Sequence, residues 1–169
     1  EMCIRDRGTL PAPAGGQVAF VCKFNSSGTY QYSRIVDGTN NEYGWSVTCD
    51  SSGNMYLAGQ YAIAAPTIKD QAGTSLGTLP APAGGSVGFV CKFNSSGTYQ
   101  YSRIVDGTGN DVGQAVTCDS SGNMYLAGQY ATAAPTIKDQ AGTSLGTLPA
   151  PTNSAAFVVK FGPDGTYYP

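Results

Sequence analysis

An all-β fold assembled from a tandem repeat is what this sequence predicts, and three observations predict it. The first is self-similarity. Gly8 to Leu76 recurs as Gly77 to Leu145, and a third copy runs from Gly146 to Pro169. The period is 69 residues, and 61 of the 69 aligned positions are identical. The second is composition. Charged residues make up only 12% of the chain, while Gly reaches 23 and Tyr 11, which suits short strands joined by tight turns. The third is pattern: each copy holds four short runs that alternate with period two. A period this long, built of strands, points to a propeller or a related array.

The first seven residues, Glu1-Met2-Cys3-Ile4-Arg5-Asp6-Arg7, stand outside the repeat. They read as a translated transposase adapter and are set apart as a non-native segment. The natural N-terminus is therefore expected upstream, and the chain ends inside a repeat. Residues 8–169 form the repeat region, divided into 8–76, 77–145 and a partial 146–169.

Within a copy, the first strand is Trp45 to Cys49, with Trp45, Val47 and Cys49 on one face. Asp50-Ser51-Ser52-Gly53 follows. Asp first and Gly fourth is the signature of a type I turn with a glycine bulge. The second strand, Asn54 to Tyr61, places Met55, Leu57 and Tyr61 on one side. A long connection from Ala62 to Ser86 comes next. The third strand, Val87 to Phe93, puts Val87, Phe89, Cys91 and Phe93 on one face and Val90 on the other, as for a strand between two neighbouring sheets. Asn94-Ser95-Ser96-Gly97 is another tight turn, and Tyr99 to Val105 is the fourth strand. The third copy has Gly162-Pro163-Asp164-Gly165 at that turn, a second sequence suited to the same geometry.

The cysteines fit this frame as free thiols in apolar strands. Cys22 and Cys91 are one repeat position, and Val159 replaces them in the third copy. The site therefore wants a small apolar side chain, and free Cys behaves as one. Cys49 and Cys118 are expected to be buried thiols too. No CxxC pair and no histidine is present, so a zinc site has no support. Nine basic against eleven acidic residues leave a net charge of −2. No basic patch points to nucleic acid, and no apolar run reaches the length of a membrane-spanning helix.

Several pieces resemble the bacterial propeller repeats called SBBP repeats. They are Ala19-Phe20-Val21-Cys22-Lys23-Phe24-Asn25, Tyr32-Ser33-Arg34-Ile35, Asp106-Gly107-Thr108-Gly109-Asn110-Asp111, and Val116-Thr117-Cys118-Asp119-Ser120-Ser121-Gly122-Asn123-Met124-Tyr125-Leu126-Ala127-Gly128. The chain departs from that family in its cysteines and its long connection. The resemblance implies a fragment of a β-propeller, about two and a half four-stranded antiparallel blades. These are a half blade (Val18 to Val36), a full blade (Trp45 to Val105) and most of a third (Gln114 to Phe161). It also implies a bacterial protein, secreted or at the cell surface. It brings no catalytic residue and no cofactor. A propeller closes with about four to eight blades, so the neighbouring blades are missing from this chain.

The two full copies differ at eight positions, five of them between 40 and 46: Asn40/Gly109, Glu42/Asp111, Tyr43/Val112, Trp45/Gln114 and Ser46/Ala115. This stretch and the long connection are expected on one end of the blades, with the Ser-Ser-Gly turns on the other. Long loops on a rigid scaffold carry binding. The candidate binding residues are therefore Asn40, Asn41, Glu42, Tyr43, Trp45, Gly109, Asn110, Asp111, Val112 and Gln114, for an unknown protein or glycan ligand. Trp45 with Tyr43 suits sugar stacking, and Trp45 suits the core equally well. Drift after duplication is the competing explanation of the cluster. Asp106, Asn110 and Asp111 offer oxygen ligands, but the spacing of a calcium loop is missing. They and Asp37, Asn41 and Glu42 read as solvated turn residues, and no metal is assigned. Asn25-Ser26-Ser27 and Asn94-Ser95-Ser96 match the glycosylation sequon and read as turns. The expected function is non-catalytic binding or adhesion. The alternatives are a structural spacer and an accessory part of an enzyme whose active site lies elsewhere.

Overall fold

The computed structural model describes residues 8–169; the adapter-like segment 1–7, with Cys3, lies outside them. The described residues form fourteen strands: β1 (Ala19–Phe24), β2 (Tyr30–Asp37), β3 (Tyr43–Cys49), β4 (Met55–Ala62), β5 (Thr67–Asp70), β6 (Ser75–Thr78), β7 (Ser86–Phe93), β8 (Tyr99–Asp106), β9 (Val112–Cys118), β10 (Met124–Ala131), β11 (Thr136–Asp139), β12 (Ser144–Thr147), β13 (Ser154–Phe161) and β14 (Tyr167–Tyr168). The expected second blade is present as β3, β4, β7 and β8, all antiparallel neighbours. The third blade is β9, β10, β13 and β14, and the first keeps only β1 and β2. The chain is thus a fragment of a β-propeller.

One expectation is corrected. The connection from Ala62 to Ser86 is not a plain loop. It holds the hairpin β5–β6, which leaves its own blade and pairs with β2 of the preceding one, from Arg34 opposite Asp70 to Asp37 opposite Thr67. The hairpin β11–β12 does the same to β8. Middle-blade strand order is therefore β12-β11-β8-β7-β4-β3. Each hairpin laces two blades together. Lys69 Nζ reaches Asp37 Oδ2 at 2.6 Å, and Lys138 Nζ reaches Asp106 Oδ2 at 2.6 Å.

Tight turns set the register. The amide of the fourth residue donates to the carbonyl of the first, as in Gly53 N to Asp50 O at 3.0 Å and Gly97 N to Asn94 O at 2.8 Å. That fourth residue is left-handed, with φ of +75° at Gly53 and +84° at Gly97, a conformation that favours glycine. The hairpin turns Asp70-Gln71-Ala72-Gly73 and Asp139-Gln140-Ala141-Gly142 have the same form.

The core lies between blades. β7 turns Val87, Phe89, Cys91 and Phe93 toward the first blade, where they meet Ala19, Val21, Tyr32 and Val36. Its Val90 faces the third blade beside Val116, Leu126, Phe157 and Val159. Burying each phenylalanine contributes about 1.5–3 kcal/mol. Not every cysteine is buried as expected. The four cysteines among the described residues are free thiols; Cys91 is fully buried, Cys22 and Cys118 are half-buried and Cys49 is exposed. Cys49 and Val47 are open because, among the described residues, no inner strand of the first blade covers them; the equivalent Val116 is buried against the second blade.

Candidate functional site

The links β2–β3 and β8–β9 gather at one end of the stack with the segments that enter and leave the hairpins. The Gly16 amide donates to Asn40 O at 3.2 Å, and the Asp111 amide to Ser86 O at 2.9 Å. Within the links the polar side chains bond backbone amides, the asparagines at the surface and the acids in the interior. Asn41 Oδ1 accepts from the Gln17 amide at 3.0 Å, and Asn110 Oδ1 from the Ser86 amide at 3.3 Å. Glu42 Oε2 accepts from the Gly38 amide at 2.8 Å, and Asp111 Oδ2 from the Gly107 amide.

The acids of these links are therefore not the solvated turn residues expected. Asp37, Glu42, Asp106 and Asp111 are all buried. Asp106 is fully used: Oδ1 accepts from the Ala83 amide at 2.9 Å and Oδ2 from Lys138 at 2.6 Å. Asp111 is the exception, since its buried Oδ1 has no hydrogen-bond partner among the described residues. Burial pushes the Asp111 carboxyl up to about 6. The Gly107 amide offsets part of that push, and the charge of Asp106 adds to it. Burial likewise raises Glu42, against the opposing Gly38 amide. Gly109 is pinched against Ala131 and Thr132, with no room for a Cβ.

Tyr43, Trp45, Val112 and Gln114 have a different environment. Trp45 and Gln114 occupy the same place in their strands, each skipped by the ladder at a bulge. Gly44 pairs Gly59 and Ser46 pairs Ala58, while Gly113 pairs Gly128 and Ala115 pairs Ala127. A bulge re-aims a side chain. Glycine is required opposite it: a Cβ on Gly59 would sit 1.8 Å from Tyr43 O, and one on Gly128 1.9 Å from Val112 O. Tyr43 stacks on Trp45 with ring centroids 5.5 Å apart and planes 11° apart. Trp45 is 54% exposed, so it is not the core residue of the alternative reading.

Trp45, Gln60, Val112, Gln114 and Gln129 line one lobe of a groove between the second and third blades, about 420 Å³ in volume. Gln60, Val112 and Gln129 continue into a second lobe of about 470 Å³, with Ile63, Ser86 and Asn110 on its walls. Gln60, Gln129 and Ile63 were not among the residues singled out from the sequence. The glutamines are identical in the two copies, and only strand stacking brings them to Trp45. Ile63 differs from its counterpart Thr132, and that difference was the available signal.

No family model matches the chain. Among curated proteins it is similar to a WD repeat-containing protein of Acanthamoeba polyphaga mimivirus, itself described as uncharacterized. The two are 24% identical over 153 residues, covering 88% of this chain and 11% of that protein. WD repeats build propeller blades. Fold and similarity together define a β-propeller-like repeat module, of which this chain spans about a ninth of the relative's length. Among the described residues, no helix is long and apolar enough to cross a membrane.

Proposed function

We propose that this chain is a non-catalytic binding or adhesion module of a bacterial SBBP-type propeller, acting outside the cell or at its surface. Ligand is held at the end carrying the β2–β3 and β8–β9 links. One observation carries the reading. Four of the eight positions at which the copies differ contribute residues to the groove between the second and third blades: Trp45 with Gln114, Val112, Ile63 and Ser86. Drift in loops alone has no reason to converge on one concavity from four separate stretches of chain. The Asn41 contact and the buried Glu42 and Asp111 contacts serve this reading as the frame that holds the links, with Tyr43 supporting Trp45 from behind.

The test is an array of glycans and peptides probed with the full chain. Binding that is lost in Trp45→Ala and weakened in Tyr43→Ala is expected. Binding that survives both moves the site elsewhere. No binding to any member supports the second reading, a spacer, which is favoured by how much polar chemistry is spent on lacing blades together.

A further inference from the structure

The groove is uncharged. None of its lining side chains is acidic or basic. Its polar equipment is carboxamide: Gln60, Gln114, Gln129 and Asn110. The side chains of the three glutamines make no hydrogen bond among the described residues, whereas Gln31, Gln71, Gln100 and Gln140 all do. Each carboxamide offers two donors and an acceptor, which matches hydroxyl groups that both give and take a hydrogen bond. Beside them lies a tryptophan with one face stacked on Tyr43 and its exposed surface open to the groove. A flat aromatic face next to amides suits a pyranose ring, apolar on its C–H face and polar at its rim. The lobes fall within the size of ordinary small-ligand sites.

The rim adds a further mark. Ile63 has φ +73° and sits in a γ-turn closed by the Ala64 amide on Ala62 O at 2.9 Å. That turn is rare and strained, more so for a β-branched residue. The same turn recurs at Thr132, with φ +70° and the Ala133 amide on Ala131 O at 3.0 Å, so it is a feature of the repeat. It holds Ile63 on the groove wall at 75% exposure.

We propose, on the basis of the binding function above, that this groove is a single binding site for a neutral saccharide, with Trp45 as the stacking platform and Gln60, Gln114 and Gln129 as the hydroxyl partners. The site is composite: Trp45, Gln60 and Ile63 come from the first copy, and Val112, Gln114 and Gln129 from the second. Both aromatics are therefore needed only once, and their absence from the second copy is no objection. An extended peptide would instead want a run of free backbone groups on a strand edge. Here the β9 edge is partly used, since the Val116 amide donates to Ser46 Oγ at 3.2 Å.

Trp45 is the only tryptophan, so its emission reports the site directly. The full chain is titrated with neutral trisaccharides of glucose, galactose, mannose and N-acetylglucosamine, with a sialylated trisaccharide and with a proline-rich peptide. A saturable blue shift with at least one neutral sugar, insensitive to salt, is expected. Gln114→Ala and Gln129→Ala keep the reporter and should each weaken binding by about tenfold, the loss of one good hydrogen bond. Circular dichroism confirms that both variants fold. A shift with the peptide alone, or with the charged sugar alone, overturns the neutral-saccharide assignment and leaves the binding function standing. Silence with every probe, together with an empty array, overturns both.

Discussion

Cys91 is fully buried between the first and second blades, and the third repeat has Val159 in its place. Cys91→Val should therefore change stability by less than about 1.5 kcal/mol. Cys91→Ser buries a hydroxyl without a partner and should cost about 1–3 kcal/mol. Urea unfolding of the two variants distinguishes them. Asp111 makes a second residue-level prediction. Its carboxyl is raised to about 6, so the folded chain binds a proton more tightly than the unfolded one. That contribution is fully present below the ordinary aspartate range and is lost as pH rises toward 6. Asp111→Asn should remove this pH dependence and melt higher than the parent above pH 6, read from thermal unfolding between pH 4 and 8. Equal slopes in both proteins would contradict it. Neither the burial of Asp111 nor that of Glu42 was legible in the sequence, because Asp-Gly-Thr-Gly-Asn-Asp has the composition of an exposed turn.

The turns show how blades recognise one another. Lys92 Nζ donates to Pro163 O at 2.6 Å, and Arg103 Nε to Gly165 O at 2.8 Å. Arg103 also stacks over Tyr101 at 4.6 Å and donates to Gln140 Oε1 at 2.8 Å. One blade earlier, Lys23 and Arg34 donate to Ser95 O and Gly97 O, each at 2.6 Å. Every acceptor that the neighbouring blade's Lys and Arg reach in these turns is a backbone carbonyl. This is why Asn-Ser-Ser-Gly and Gly-Pro-Asp-Gly serve equally. Replacing Gly162-Pro163-Asp164 by Asn-Ser-Ser exchanges the Asp164 cap on the Thr166 amide for the asparagine cap seen at Asn94, and should leave stability nearly unchanged. Arg103→Ala should cost about 1.5–3 kcal/mol, and Arg103→Lys should recover only part, because lysine lacks the planar fork; chemical unfolding measures all three. The four long strands and their turns were legible because alternation and the Asp-x-x-Gly signal are local. The β5–β6 hairpin was not. Its strands have four residues each, only Ile68 is buried in them, and their partner is β2 of another blade. Its turn did carry the same Asp-x-x-Gly signal. Amide exchange should be slow at Ile68 and Lys69; fast exchange there would restore a plain loop.

Across the whole molecule, each blade has two unlike faces, and every contact pairs one of each. Phe89 and Phe93 are 0% exposed against the first blade, while the equivalent Phe20 and Phe24 are 53% and 56% exposed. At the other end Val158 is 69% exposed where the equivalent Val90 is 1%. The chain thus presents at one end the face that its other end would accept, together with the open edge of β1. Such edges invite pairing with other chains, and a head-to-tail contact propagates until a ring closes. The repeat made this arc legible at once. The groove was legible only in half, through Trp45 and its variable neighbours, because the glutamines that complete it are invariant between copies. Sedimentation velocity of the full chain tests the open arc most directly. Concentration-dependent association is expected, reduced by Phe20→Ser with Phe24→Ser; a single monomeric species that melts in one cooperative transition would contradict it.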